Sequence, residues 1–249
     1  MSVRFARCGI AALVLLLFVA VPGQGLGDQR ARSTDQQIKA QIEQRFFDAG
    51  LIGVAVDVHD RTVTLRGTVG SLWLKDRAIQ QARGVRDVID VVSTLTVARG
   101  ESDEPLAREI ADDVSGSPLF SIFDDVSVHV VDGVATLTGS VMTSDKSKEF
   151  VKLASRVRGV QQVVNRIETL PASMMDDDLR MGIAAGIYNS PVFSSYANQP
   201  IGPVHIIVRR GQVTLTGVVA SEVERRMAEM IARSAFGAKG VDNQLRLEK

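Results

Sequence analysis

The sequence predicts an α+β protein built from three tandem copies of one small domain. Three observations support this: a short strand motif occurs three times, an alternating apolar strand precedes each copy, and a helix with one apolar stripe precedes each of those strands. Each copy has the order helix, strand, strand, helix, strand. We therefore expect three α-β-β-α-β domains, each with two helices packed on one face of a three-stranded sheet.

The repeated motif is a (Val/Ala)-Thr-Leu-x-Gly strand. Upstream of each copy, valine or isoleucine recurs at every second position, which places one face of a strand on a core. Two residues separate the paired runs, and Asp-Gly, found in the second copy, is a strong hairpin signal. Each copy therefore predicts a β-hairpin, with the motif at residues 63–67, 135–139 and 213–217.

A helix is predicted before each hairpin, because apolar residues recur there at every fourth position. The expected starts are a cap within residues 33–35, Glu104 followed by Pro105, and the acidic run 176–178 on the helix dipole. We interpret that acidic run as helix capping rather than as a metal site. The three stripes are Ile38, Ile42, Phe46; Leu106, Ile110, Val114; and Leu179, Ile183, Ile187.

A second helix, a glycine and a third strand follow each hairpin. The glycine-bounded segments 139–159 and 217–237 have equal length. In the first copy Gly84, Val88 and Asp90 take the corresponding places only if three residues are deleted from the second helix. The predicted domains are residues 34–99, 103–171 and 174–249, which short polar or small-residue linkers separate.

Residues 1–27 are predicted to be a signal peptide. Arg4 and Arg7 precede the apolar run 10–21, which is short for a membrane span of roughly 20 residues. Helix breakers and small residues suited to a signal peptidase follow. An uncleaved amphipathic anchor is the alternative. The expected location of the processed chain is the periplasm.

Composition and motifs argue against several function classes. Lys+Arg and Asp+Glu both number 29 and no basic run occurs, so nucleic acid is not an expected partner. Cys8, the only cysteine, precedes the apolar run, so cleavage leaves no thiol for disulfides, metal or nucleophilic work. We find no hydrolase elbow or phosphate-binding loop, and expect no catalytic residue, metal, cofactor or small-molecule substrate.

Each repeat contains one histidine, but the three positions are not equivalent. His59 is expected beside a hairpin turn, and His129 and His205 on exposed strand positions that do not correspond to each other. Side chains at such positions do not converge on one ion. We therefore expect exposed strand histidines rather than metal ligands.

The repeats resemble the BON domain, named for bacterial OsmY and nodulation proteins. The resemblance rests on the strand motif and on a following Gly-Val-x-x-Val-x-Asn-x-Leu pattern, which residues 159–167 and 237–245 fit closely. In the first copy Asp90 stands in the Asn position. The resemblance implies an envelope-associated, stress-linked protein, in a family proposed to contact phospholipid or to act as an adaptor.

The triplet Leu72, Trp73 and Leu74 is one candidate contact for a membrane or a partner. It contains the only Trp and begins a helix whose counterparts are polar. The alternative interpretation is packing against the neighbouring domain.

A second candidate contact lies in the third repeat, where residues 190–200 are inserted before the hairpin. Phe193 and Tyr196 of this loop, together with three arginines of the following helix, could engage an anionic headgroup. The alternative is a loop that packs its own aromatic residues on the core. The arginines are Arg225, Arg226 and Arg233.

The sequence thus favours a non-enzymatic periplasmic protein that binds a phospholipid surface or an envelope protein and is connected with envelope or osmotic stress. Three weak sites on one chain would raise the effective concentration of each. The alternative is a structural or chaperone-like adaptor without a lipid ligand.

Overall fold

The structure is a computed structural model that describes residues 26–100, 102–196, 199 and 201–248. The predicted signal peptide therefore lies outside the described residues except for its last two positions. Among the helices of the described part, none has both the length and the apolar character needed to cross a bilayer.

The described chain forms three modules, each with its own sheet and two helices, which confirms the predicted fold class. Module 1 contains α1 (Leu26–Asp48), β1 (Val54–His59), β2 (Thr62–Val69), α2 (Leu72–Arg83), β3 (Asp90–Ser93) and β4 (Thr96–Val97). Module 2 contains α3 (Asp103–Ser115), β5 (Asp125–Val131), β6 (Val134–Val141), α4 (Ser144–Arg156) and β7 (Gln162–Thr169). Module 3 contains α5 (Met174–Tyr188), a 3₁₀ helix (Pro191–Tyr196), β8 (Val204–Arg209), β9 (Gln212–Val219), α6 (Glu222–Ser234), β10 (Gly240–Asn243) and β11 (Arg246–Leu247).

Each sheet is mixed, with the motif strand in the centre. The hairpin partner is antiparallel on one side, and the strand after the second helix is parallel on the other side. A parallel neighbour requires a crossover connection, which the second helix supplies. In modules 1 and 3 the parallel strand continues as the two-residue strands β4 and β11.

The core of each module lies between its helices and one sheet face. The three predicted helix stripes are buried in three separate clusters, together with the apolar residues of the hairpins and small residues of the second helices such as Ala78 and Ala154. Three separate cores are consistent with three small domains rather than one continuous domain.

The motif glycine is required by the backbone in all three modules. Gly67, Gly139 and Gly217 have φ between 115° and 126°, a region that side chains disfavour. A Cβ at any of them would overlap the carbonyl oxygen of the residue just before the glycine's antiparallel partner, which is Gly53, Asp125 or Pro203. This close approach explains why the motif ends in glycine.

An aspartate on the first helix of each module binds the hairpin turn, which the sequence analysis did not predict. The Asp35 carboxylate accepts the N–H groups of Asp60 and Arg61, both at 2.9 Å. Asp103 and Asp176 make the same pair of bonds in modules 2 and 3. Each carboxylate thus satisfies two turn donors and ties the helix to the hairpin.

This arrangement corrects two expectations about helix starts. Residues 33–35 lie within α1, which already begins at Leu26, so the helix does not start there. In the acidic run 176–178, Asp176 and Asp177 lie in the first turn of α5 as expected from the helix dipole, but Ser173 provides the side-chain cap and Asp176 binds the turn of module 3.

The predicted three-residue deletion in module 1 is wrong. Ser93, rather than Asp90, pairs with the motif leucine, as Asn165 and Asn243 do in the other modules. Asp87 lies 20 residues after the motif glycine and has a φ of 68°, so it occupies the place of the later glycine. A non-glycine residue in the left-handed region concealed the equal length of the three segments.

Module 2 contacts its neighbours at opposite ends of its sheet. At the hairpin-turn end, Gly159 N–H donates to Gly70 O at 3.2 Å and the Gln161 side chain donates to Ala98 O at 3.1 Å. At the other end, Ile206 N–H on β8 donates to Ile122 O at 2.7 Å. The modules are therefore joined end to end by different contacts.

The loop that reaches module 3 is shaped by Asp124. Its fully buried carboxylate accepts hydrogen bonds from Ser121 and from Lys146 Nζ, the latter at 2.6 Å. The carbonyl of the same residue accepts a 2.7 Å bond from His205 Nδ1, and the His205 ring lies 5.4 Å from that of Phe120. A buried ion pair within module 2 thus positions the groups that contact module 3.

Candidate functional site

The solvent face of α6 combines apolar and basic side chains in one stripe. Val223, Arg226, Met230 and Arg233 follow each other at intervals of three or four residues, so they share one helix face. Val223 is 63% and Met230 57% exposed. Phe236, two residues beyond the end of the helix, is 98% exposed. We call these five residues the α6 face.

The opposite side of α6 packs on the sheet through Ala228 and Ala232, both fully buried. At its start Ser221 and Glu224 form a capping box, in which each side chain binds the backbone of the other. The face is therefore held on a rigid element. A shallow depression of about 480 Å³ lies along it, lined by Arg226, Glu229, Met230, Arg233 and Ser234.

The charges of the α6 face are partly offset. Arg225 and Arg226 both pair with Glu222, and Arg233 pairs with Glu229. Hydrogen bonds from both arginines hold the pKa of the Glu222 carboxyl below its usual range. Bonds from Asn243 and Arg233 lower the pKa of Glu229 in the same way. Both carboxylates are ionised at neutral pH. Three arginines and two glutamates therefore give this side of α6 only a slightly positive net charge.

The loop aromatics of module 3 do not join this surface. Phe193 is 1% exposed and belongs to the core, so it is not available to a headgroup in this structure. The Tyr196 hydroxyl donates to Glu224 at 2.8 Å and accepts from Ala220 N–H. Burial and the bond to Glu224 raise the pKa of Tyr196. The structure therefore uses both residues to anchor the loop and the start of α6.

The Leu72, Trp73 and Leu74 triplet lies at the junction of modules 1 and 2. All three side chains are half-buried, and Leu74 packs on the core of module 1. The Arg77 guanidinium lies 4.9 Å and that of Arg156, from module 2, 5.2 Å from the Trp73 ring centre. Trp73 therefore contacts the neighbouring module through a cation–π interaction.

The histidines lie apart from one another. His59 and His129 are exposed, but His205 is half-buried against module 2, which corrects the expectation that it is exposed. Among the residues that the structure describes, no group of His, Cys, Asp and Glu side chains is placed to hold a metal ion.

Comparison with known families identifies the repeated module. A family model described as the BON domain matches residues 34–99, 102–171 and 192–249, which is most of the chain. The chain belongs to the BON-domain family. The three BON modules also account for the repeated strand motif and the shared turn geometry.

One relative and two solved structures illustrate the likeness. Osmotically-inducible protein Y of Escherichia coli (strain K12) is 29% identical over 130 residues, which cover 49% of this chain and 61% of that protein. The chain thus spans about three fifths of that relative. The C-terminal domain of CdsD, a structural protein of the type III secretion system of Chlamydia trachomatis, is 16% identical, with 84% of this chain and 96% of that one covered. The periplasmic domain of PrgH, a type III secretion inner membrane protein from S. typhimurium, is 14% identical, with 79% and 99% covered. Their TM-scores of 0.25 and 0.18 support no functional conclusion.

The sequence analysis found the arginines of the α6 face but missed its apolar members. Val223 and Met230 are seven residues apart and lie opposite the buried alanines, so the helix period could have shown them as an outward stripe. Phe236 follows the helix end, where periodicity gives no indication of exposure.

Proposed function

We propose that this BON protein is a non-catalytic periplasmic protein that contacts anionic phospholipid surfaces through the α6 face. The observation that supports this proposal is the exposed stripe of Val223 and Met230 interleaved with Arg226 and Arg233, together with the exposed Phe236 just beyond the helix end. A rigid helix with apolar and basic side chains on one exposed face is typical of proteins that lie on a membrane surface.

Apolar contact, rather than charge, supplies most of the proposed affinity. Fully burying a valine, methionine or phenylalanine side chain contributes about 1.5–3 kcal/mol, and partial insertion of Phe236 and Met230 contributes part of this. A basic residue at an anionic surface contributes about 1 kcal/mol. Glu222 and Glu229 reduce this electrostatic contribution, so we expect the affinity for vesicles to depend only moderately on salt concentration.

Two further observations support the periplasmic and stress-related parts of the proposal. Residues 1–27 have the sequence pattern of an export signal. The relative in Escherichia coli is named for its induction by osmotic conditions. We extend both features to this protein as part of the proposal.

Vesicle flotation tests the lipid contact. The purified protein is mixed with vesicles of phosphatidylethanolamine and phosphatidylglycerol, at low and at physiological salt, and the floated fraction is measured. Phe236→Ala is expected to weaken binding roughly fivefold to thirtyfold, which corresponds to about 1–2 kcal/mol. Phe47→Ala is the matched control, because Phe47 is 83% exposed in module 1 and lies outside the α6 face.

Two outcomes would contradict the proposal. If the unaltered protein fails to float with anionic vesicles even at low salt, the lipid contact is refuted and an envelope protein becomes the partner to seek. If the protein floats but Phe236→Ala and Phe47→Ala behave alike, the contact is not the α6 face.

A further inference from the structure

In the part of the chain that the structure describes, the three sheets have four edge strands of six or more residues: β1, β5, β7 and β8. An edge strand presents unpaired N–H and C=O groups, which invite pairing with another chain. Natural proteins cover such edges or place charged side chains on them. The four edges of this protein differ in how they are protected.

The outer edge of β8 is covered by other parts of the chain. The Tyr188 hydroxyl donates to Val204 O at 2.8 Å and accepts from Val204 N–H at 3.1 Å. Ile206 N–H is bound by the carbonyl of Ile122, and Val208 O by the guanidinium of Arg180. No further strand can pair there without displacing these groups.

The edges of β1 and β7 carry charged side chains within the strand. Asp57 lies in β1, and Arg166 and Glu168 lie in β7, all exposed. Charges on an edge oppose the approach of a second strand, because pairing would desolvate them or set like charges opposite each other.

The edge of β5 has neither form of protection. After its first residue, Asp125, and up to its end at Val131 it contains no Asp, Glu, Lys, Arg or Pro. Val126 pairs with Gly139 as Val204 of β8 pairs with Gly217, so the two strands have the same register. The N–H and C=O groups of Val126, Val128 and Val130 therefore point away from β6, as those of Val204, Ile206 and Val208 point away from β9. Within the described part of the chain no hydrogen bond reaches these outward groups.

The neighbouring modules leave this edge accessible. Module 1 contacts module 2 at Gly159 and Gln161, beside the hairpin turn, and through Trp73 of α2 at Arg156 of α4. Module 3 contacts it at Asp124, and at Glu168 through an ion pair with Arg209. These contacts lie at the ends of the sheet or on α4, which packs on β7 and β6. Ser127 and His129 are exposed, so the long side of β5 remains open.

The residues of β5 are complementary to their own reversed order. Residues 126–130 read Val-Ser-Val-His-Val, so an antiparallel pair centred on Val128 would place Val126 opposite Val130 of a second copy. Ser127 would then lie opposite His129 of the second copy, on the exposed face of both sheets. Apolar side chains meet on the helix-covered side, polar ones on the open side, and no like charges meet directly.

We propose that β5 is a dimerisation edge, on which a second copy of this chain adds its own β5 antiparallel about a two-fold axis at Val128. Such an interface is isologous and closes at two copies. The two sheets of module 2 become one continuous sheet, and the outward backbone groups of Val126, Val128 and Val130 gain partners.

A pair of double variants tests the register through charge. Ser127→Lys with His129→Lys sets like charges opposite each other twice in the dimer, whereas Ser127→Asp with His129→Lys sets opposite charges there. Both variants change only exposed positions that face threonines within module 2. By sedimentation velocity, we expect the first to weaken dimerisation about tenfold or more and the second to preserve it.

Disulfide trapping tests the same register covalently. Residues 127 and 129 form a non-hydrogen-bonded pair across the proposed interface, with Cα atoms about 4.5 Å apart, which suits a disulfide. Ser127→Cys with His129→Cys should give a covalent dimer under mild oxidation. Ala55→Cys with Asp57→Cys, at the corresponding positions of β1, is the control and should stay monomeric.

Three results would overturn the proposal. The first is an unaltered protein that remains monomeric at every concentration at which it stays soluble. The second is equal dimerisation of the two charge variants, which would place the interface elsewhere. The third is equal cross-linking of the β5 and β1 cysteine pairs, which would indicate random collision.

Discussion

The aspartate that binds each hairpin turn gives a graded test of how burial sets the strength of one interaction. In module 3 the Asp176 carboxylate is 4% exposed and accepts bonds from Arg210 and Gly211 N–H at 2.7 and 2.9 Å. In module 1 Asp35 accepts the same two bonds, from Asp60 and Arg61 N–H, in a more exposed setting. Replacing either residue by Asn removes the charge and one acceptor while it keeps the size.

The expected cost differs between the two sites. A hydrogen bond to a charged group contributes about 1.5–3 kcal/mol, and a buried donor left without a partner costs about 1–3 kcal/mol. We therefore expect Asp176→Asn to lower the free energy of unfolding of module 3 by about 2–4 kcal/mol. Asp35→Asn should cost module 1 about 0.5–1 kcal/mol, because water can replace the lost acceptor.

Hydrogen exchange measured by NMR separates the modules, which a single unfolding curve of a multidomain chain does not. The amides of Arg210 and Gly211 should lose protection in Asp176→Asn. Asp178→Asn, an exposed position on the same helix, is the control. If Asp176→Asn and Asp35→Asn lower the free energy of unfolding equally, burial does not set the strength of the bond between the aspartate and the hairpin turn.

Three further outcomes are expected. Gly139→Ala should destabilise module 2 by about 3 kcal/mol or more in denaturant titration, because its Cβ overlaps Asp125 O; a loss below about 1 kcal/mol would contradict the close approach. Arg156→Ala should shift the emission of Trp73, the only tryptophan, to longer wavelength as its ring gains water, and an unchanged spectrum would show that the two do not stack. Burial raises the pKa of Tyr188 to about 12, above its usual value near 10, so its stabilising effect is complete below pH 10 and declines as pH rises toward 12. Ultraviolet titration of the unaltered protein and of Tyr188→Phe measures this, and ionisation of Tyr188 near pH 10 would contradict it.

The fold could be predicted because its determinants are local and occur three times. The alternating strands, the four-residue stripes and the two-residue turns each repeat at corresponding positions, so three weak patterns support one another. The deletion inferred in module 1 failed for a physical reason. Asp87 adopts a left-handed backbone without being glycine. In addition, the Ser93 hydroxyl accepts a hydrogen bond from Leu95 N–H, just as the Asn165 side-chain oxygen accepts one from Ile167 N–H.

The candidate site was predicted in part. The arginines of α6 were identified from sequence, but the helix period was not followed on the outward side, so Val223 and Met230 were missed. Phe193 and Trp73 look alike in sequence as aromatic residues in apolar surroundings. Whether such a residue faces the solvent, its own core or a neighbouring module depends on contacts distant in sequence, which periodicity does not contain.

The loop around Asp124 has an evolutionary consequence. Lys146 lies in module 2, yet through Asp124 it sets the position of the carbonyl that binds His205 in module 3. A substitution at any one of these three positions breaks a contact on which the other two depend, and so changes which residues are tolerated there. Among descendants of a common ancestor they should covary as a group, even though the residues belong to two separately folded units.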